Sequence, residues 1–499
     1  MQLQFHKSTH SYMIMPLQEI QNGEATQEIK LPDGMPDIGR ILAAWGQVIL
    51  RGKEWRGDSV ACSGGLMVWV LYAPEDGSQE RVIDGWIPFQ MKWDLPDRTP
   101  EGEIRIRCMP RFVDARSVSP RKIMVRSGVA AMAEAFSPME GETYLPDENI
   151  QGVELLRSTY PIRLPKEVGE KTFLIDEELT VSGPDPQPEK IIYYCLRPAV
   201  TDKKVLANKI VFRGNGNLHV LYRGEEGQMN SVDFEVPLSQ YAQLNGEYSV
   251  DAQVDVFLMP TSLELELDDE GHFRLKAGLT AQYIVNDREM LELIQDAYAP
   301  NRELRGELRQ MELPAILESR RENLYGEQNI PADADQGVDV SFLPDFPRQR
   351  RNGDRVEMEI PGTFQVLYYG ADGVLHTAIA RWEGQYAMNA DENSRLTVLP
   401  MAVEGLQAGV GNGSVNVKME LPLAVTAMTR QEIPMVIGIE LGEQTEPEAN
   451  RPSLILCRAG SMGLWDMAKT AGSTVDAIRK ANQLTEEPVP GQMLLIPVN

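Results

Sequence analysis

Cysteine, histidine and positive charge are all scarce in this chain of 499 residues, and each shortage excludes something. The four cysteines, Cys62, Cys108, Cys195 and Cys457, lie far apart with no CxxC spacing. Neither a zinc or redox motif nor a disulfide-built fold is expected. The five histidines, His6, His10, His219, His272 and His376, form no HExxH, and neither GxSxG nor a P-loop occurs. No catalytic residue, metal ligand or cofactor is therefore expected, and the chain reads as a non-enzyme. Lys and Arg number 48 against 74 Asp and Glu, a net charge of −26. Nucleic acid binding needs a cationic footprint that this balance does not supply. No apolar run approaches the roughly 18 residues of a membrane span. The N-terminus, Met1 to His10, lacks a charged region followed by an apolar one, so a cytoplasmic protein without a signal peptide is expected.

What the chain does have is clearest at its C-terminus, Ser453 to Asn499. Leu454 and Leu456 alternate with their neighbours as in a half-buried strand. Gly460 and Ser461 offer a turn and an N-cap for a helix starting near Met462. Leu464, Met467 and Ala468 share one helical face. Ser473 or Thr474 can cap a second helix with Val475, Ile478 and Ala481 as its inner stripe. Pro490-Gly491 then turns into a last strand, with Met493, Leu494 and Ile496 available to the core. Cys457 reads as a strand cysteine rather than a reactive thiolate.

This strand–helix–helix–strand order resembles the LysM domain, a βααβ module known for holding N-acetylglucosamine polymers. The resemblance implies binding loops at Gly460, Ser461, Met462, Gly463, Trp465, Gln483, Leu484, Pro490 and Gly491. Gly460-Ser461-Met462 replaces the Gly-Asp-Thr of many sugar-binding members, which suits a protein-binding loop; equally, Ser461 caps and Met462 packs. Trp465 reads as core or partial lid more readily than as a contact.

The body repeats itself. Val70-Leu71-Tyr72, Val220-Leu221-Tyr222 and Val366-Leu367-Tyr368 are each followed five residues later by a glycine, Gly77, Gly227 and Gly373. Gly65, Gly216 and Gly362 precede them. Pro36-Asp37-Ile38 has a looser counterpart in Pro188-Glu189-Lys190, and Phe136-Ser137-Pro138 one in Tyr298-Ala299-Pro300. Phe342-Leu343-Pro344-Asp345-Phe346 stands in for a lead-in to the third copy. Alternation over Leu263–Leu267 and Phe273–Tyr283 predicts a long antiparallel hairpin. Asp268-Asp269-Glu270 is its solvated tip. Gly413 marks another turn, and Gly409-Val410-Gly411 reads as part of it. Ile38–Trp45 reads as a short helix. Glu303–Arg321 has helix-forming composition but Pro314 interrupts it, and it stays open. Arg348–Arg355, the densest basic cluster, reads as a solvated turn. Five of the seven tryptophans fall in copy one, in a larger core or an interface.

The expected fold is mainly β, with three tandem sandwich- or barrel-like domains at 1–165, 166–302 and 303–441. A linker at 442–452 leads to the βααβ module at 453–499. The tandem units, the Asp296-Ala297-Tyr298-Ala299-Pro300 segment and the C-terminal module together resemble the SipL-like family of clostridial spore-coat morphogenetic proteins. The resemblance implies a scaffold in the mother cell, on the forespore surface, whose LysM docks onto a coat ATPase or another spore-coat protein. The alternative is a peptidoglycan-binding wall or cortex protein.

Overall fold

In the computed structural model, residues 5–146, 152–183, 185–411, 413–444, 452–460 and 462–498 are described, without the side chains of 315–317. Three times over, the chain lays down a long strand, a meander, and two strands that return to the first. The first repeat has β1 (Phe5–Lys30), β2 (Ile38–Arg56), β3 (Ser59–Pro74), β4 (Arg81–Asp94), β5 (Glu103–Ser119) and β6 (Lys122–Pro146). The second has β7 (Glu154–Leu179), β8 (Pro188–Leu206), β9 (Lys209–Gly224), β10 (Met229–Gln243), β11 (Gln253–Leu267) and β12 (Phe273–Tyr298). Each makes two antiparallel sheets, β1-β6-β5 with β2-β3-β4, and β7-β12-β11 with β8-β9-β10.

The third repeat keeps the plan with two strands broken. Its elements are β13 (Arg302–Pro331), β14 (Ala334–Pro344), β15 (Arg348–Asn352), β16 (Arg355–Gly370), β17 (Leu375–Asn389), β18 (Arg395–Pro400), β19 (Glu404–Gly411) and β20 (Ser414–Gln444). β14 and β15 share one partner, β16, and β18 and β19 share β20. Residues 342–346 therefore end β14 and start the break. The register sets Ala334 opposite Gly370 as Pro188 is set opposite Gly224, so the lead-in lies near Ala332, not at Phe342. The expected boundary at 165/166 falls inside β7.

The helix expected over Ile38–Trp45 is a strand, and so is Glu303–Arg321, whose state the sequence left open. Ile38–Trp45 lies in β2, where Leu42, Ala43 and Trp45 are buried toward neighbouring repeats while Ile41 and Ala44 pack on their own core. A strand buried on both faces loses its alternation and imitates a helix. Glu303–Arg321 lies in β13, an edge strand, where Pro314 has no ladder bond to break on its open side. Gly409–Gly411 closes β19 rather than forming the turn, and Asn412 lies outside the described residues.

The Val-Leu-Tyr repeat has a physical cause. It sits in the central strand of each meander, and successive side chains there face opposite ways. Val70 and Tyr72, Val220 and Tyr222, and Val366 and Tyr368 face the core between their own two sheets. Leu71, Leu221 and Leu367 face outward and meet in one cluster with Trp45, Trp69 and Tyr193. The repeats are thus joined through the middle residue of the motif. The Tyr72 hydroxyl donates to the Pro36 carbonyl (3.0 Å) and the Tyr222 hydroxyl to the Pro186 carbonyl (3.1 Å). Pro36 therefore corresponds to Pro186, not Pro188. Tyr368 instead stacks on His376. Phe136 and Tyr298 are not equivalent: Phe136 pairs with Glu103 within β6, whereas Tyr298 ends β12 opposite Glu154.

Polar groups pin the same junctions. The Gln282 amide donates to the Ile106 carbonyl (2.8 Å) and accepts from the Ile106 N–H (2.7 Å), tying the second repeat to the first. His219 of β9 lies 3.1 Å from Asp233 and 3.0 Å from Asp339 of β14. Burial alone would push this imidazole down; the two carboxylates outweigh it and raise it to about 10.

The long strands continue past these cores. Tyr12, Leu164, Leu291, Leu313 and Ile433 form a further cluster shared by all three repeats. Beyond it Phe5, Leu145, Leu155, Ala297, Leu304 and Leu441 gather, so the ends of all three long pairs converge. The C-terminal module follows from that end.

Candidate functional site

The last elements are β21 (Leu454–Arg458), α1 (Leu464–Ala471), α2 (Val475–Asn482) and β22 (Met493–Pro497), with β21 and β22 antiparallel. Residues 445–451 of the expected linker lie outside the described residues, as does Ser461. α1 starts later than expected, with Gly463 as its N-cap and no side-chain cap. Thr474 caps α2 by accepting from the Ala477 N–H (3.0 Å). Leu464, Met467, Ala468 and Ile478 are buried, as helical spacing requires, but Ala481 is exposed.

β21 faces the opposite way from the expectation, whereas β22 turns Leu494 and Ile496 inward as expected and only Met493 departs. Leu494 and Ile496 are buried and Ile455 and Cys457 pack beside them. Leu454, Leu456, Met493 and Leu495 are turned outward and are 43–62% exposed. Leu456 pairs with Leu495 across the ladder. A one-residue slip exchanges every side chain between faces, and a continuous run such as Leu454–Cys457 does not say which face is inside. The module therefore carries an apolar outer face of four large side chains, and Met462 on the following loop is exposed as well.

The opposite side is held by the body. Tyr298, at the end of β12, is buried among Ala459, Leu464, Met467 and Ile478. Its hydroxyl donates to the Ser473 carbonyl (3.0 Å), and its ring meets Trp465 edge-on at 4.8 Å. The Trp465 indole N–H donates to Asp296 Oδ2 (2.8 Å), and Lys469 Nζ donates to the same oxygen (2.7 Å). Burial pushes the Asp296 carboxyl up, but the hydrogen bonds from Lys469 and Trp465 outweigh it and hold it below its ordinary range. The Asp296-Ala297-Tyr298 segment is thus the seat of the module, and Trp465 serves the seat rather than a free loop.

The remaining expected site residues lie on the loops between β21 and α1 and between α2 and β22. Gly460 and Gly463 are exposed next to Met462. Gln483 is the left-handed C-cap of α2 (φ 53°) and Leu484 is half-buried behind it. Pro490 is exposed, and the N–H of Gly491 (φ 94°) donates to the Ala459 carbonyl (2.6 Å). These groups do not converge on a reacting atom. Among the described residues no three His, Cys, Asp or Glu side chains cluster for a metal, and no helix is long and apolar enough to cross a membrane. Asp268 accepts from the N–H groups of Glu270 and His272, forming the expected hairpin tip. In the basic cluster Arg351 donates to the Ala390, Asp391 and Ser394 carbonyls, while Arg348 and Arg350 are exposed.

A family model described as SipL, SPOCS domain matches residues 187–266, the span from the start of β8 through β11. No curated protein and no solved structure matches the chain. The match supports a SipL-like, sporulation-related protein.

Proposed function

We propose that this chain is a non-enzymatic scaffold of spore-coat assembly, recruited through its C-terminal LysM-like module to a coat ATPase on the forespore surface. The observation that carries the reading is the two-sidedness of the module. One side is locked onto Asp296 and Tyr298, and the other offers Leu454, Leu456, Met493 and Leu495 to solvent. Large contiguous apolar side chains left exposed are a feature of protein–protein contact surfaces. A glycan-holding groove would call instead for convergent polar groups beside an aromatic platform, and Trp465 is engaged with Asp296.

The test uses the full chain and purified coat ATPase, with soluble muropeptide as the other ligand. Leu456→Glu and Leu495→Glu place a charge on the outer face without touching the seat. The expected result is saturable ATPase binding that each substitution weakens by at least about tenfold, roughly 1.4 kcal/mol. Muropeptide binding with no ATPase binding would overturn the reading in favour of a wall or cortex protein.

A further inference from the structure

Where the three repeats meet, a cavity of about 720 Å³ opens between β2, β5, β8, β11, β14 and β18. Its volume falls in the range of small-molecule sites. Its walls are largely apolar, with Val48, Phe136, Phe257 and Ile284 among them.

Against that lining the polar groups stand out. Trp45, Arg105, Arg107, Asn286 and Gln365 line the cavity, and among the described residues no hydrogen-bond partner is found for Trp45 Nε1, Arg105 Nε, Arg107 Nε, Asn286 Oδ1 or Gln365 Nε2. Trp45 and Asn286 are 4% and 6% exposed. Buried polar atoms are normally paired, so five unpaired atoms on the residues of one lining are unusual. Four of the five are donors.

The charges around the cavity fail to cancel at one point. Arg105 lies 2.6 Å from Asp255 and 3.5 Å from Glu134, and Lys203 lies 3.2 Å from Asp255. Arg107, stacked over Phe257 at 4.3 Å, has no carboxylate in ion-pair reach among the described residues. Three cations, Arg105, Arg107 and Lys203, thus stand against two carboxylates, Glu134 and Asp255. Arg197 shares the fields of Asp233 and Asp339 with His219, so that end is balanced. Arg320 and Arg321 are paired with Glu318, Glu322 and Glu404. The group of Arg105, Arg107 and Lys203 thus carries one positive charge more than Glu134 and Asp255 supply, while Arg320 and Arg321 face three carboxylates. Burial pushes the Arg107 guanidinium down and outweighs the field of Asp255, which pushes it up.

We propose that the cavity binds a small amphipathic carboxylate, with its single negative charge on Arg107 and its apolar body among Val48, Phe136, Phe257 and Ile284. One surplus positive charge matches a monoanion, and the lining matches an alkyl or aryl body better than a hydrated phosphate. The guanidinium fork is suited to a carboxylate. The site is independent of the C-terminal module, since no residue of that module lines it.

Titration calorimetry on the full chain tests this with decanoate, decanol and inorganic phosphate, the first two below their aggregation concentrations. Decanoate is expected to bind at one site per chain, at least about tenfold tighter than decanol, and phosphate not to compete. Arg107→Met is expected to remove that advantage while leaving decanol affinity unchanged. It is also expected to melt no lower than the parent, because it deletes a buried charge that has no partner. Equal binding of decanoate and decanol by the parent, or displacement by phosphate alone, would overturn the proposal. A variant that melts well below the parent would assign Arg107 a structural role instead, and the parent's preference for decanoate over decanol still decides the matter.

Discussion

Asp339→Asn should unfasten the third repeat from the second in a way that depends on pH. His219 is 5% exposed and holds its proton because Asp339 and Asp233 face it. The imidazole is raised from 6.5 to about 10 in the folded chain. Below pH 6.5 both folded and unfolded chains carry this proton, and the stabilisation is present in full. As pH rises through 10 the folded chain loses it, and the contribution vanishes. The gap between 6.5 and about 10 corresponds to on the order of 5 kcal/mol. By pH 9 roughly a third of that remains, with a slope near −1.4 kcal/mol per pH unit between pH 7 and 9. Asp339→Asn removes the buried carboxylate, leaving Asp233, which is more exposed, to sustain part of the shift. The variant should therefore lie several kcal/mol below the parent at pH 6 and converge on it toward pH 10. Urea unfolding followed by tryptophan emission at pH 6, 7.5, 9 and 10 measures both curves. A stability gap that stays constant across this range, or that is smaller at pH 6 than at pH 10, would refute the reasoning.

Two sets of matched substitutions test the repeat itself. Tyr72→Phe and Tyr222→Phe each delete a hydroxyl that donates to a proline carbonyl, and should cost about 1 kcal/mol in urea unfolding. Tyr368→Phe, whose hydroxyl donates to no proline carbonyl among the described residues and whose ring stacks on His376, should cost less than about 0.5 kcal/mol. Among the glycines, a Cβ at Gly65 would lie 2.0 Å from the Trp86 ring and one at Gly362 would lie 2.1 Å from the Phe342 ring. Alanine at either should destabilise by about 1–3 kcal/mol. At Gly216 the nearest atom is a Leu196 methyl at 3.1 Å, which can give way, so alanine there should cost under about 1 kcal/mol in the same assay.

The mainly β character was legible because alternation survives wherever one face of a strand is wet. Leu263–Leu267 and Phe273–Tyr283 are such strands, and they form the expected hairpin with Leu267 opposite Phe273. It fails where packing is two-sided. β2 is covered by its own core on one face and by the neighbouring repeats on the other, and its run of Ile41 to Trp45 resembles a helix for that reason. The motif Val-Leu-Tyr was visible as a repeat, but its middle leucine carried no sign of its task. Joining three units at Leu71, Leu221 and Leu367 requires knowing that all three face one point in space. The cavity was invisible for a similar reason. Arg107 and Asp255 are 148 positions apart in the chain, and their charges share one cavity only after the repeats have closed around it.

The C-terminal module shows the same limit at a smaller scale, and it changes what the site means. Its order of strands and helices follows from capping residues and helical spacing, and those are local. The choice between Leu454 with Leu456 and Ile455 with Cys457 as the inner pair is not local, because both pairs are apolar. Here Leu494 and Ile496 face inward with Ile455 and Cys457, and Leu454, Leu456 and Leu495 are left outside. The indole N–H of Trp465 similarly finds its acceptor, Asp296, 169 residues upstream. A sequence reading therefore drew the contact surface on the loops, around Met462 and Trp465. The proposed contact surface lies instead on the outer face of the β21–β22 ladder, where Leu454, Leu456, Met493 and Leu495 stay exposed while Trp465 is engaged by the body.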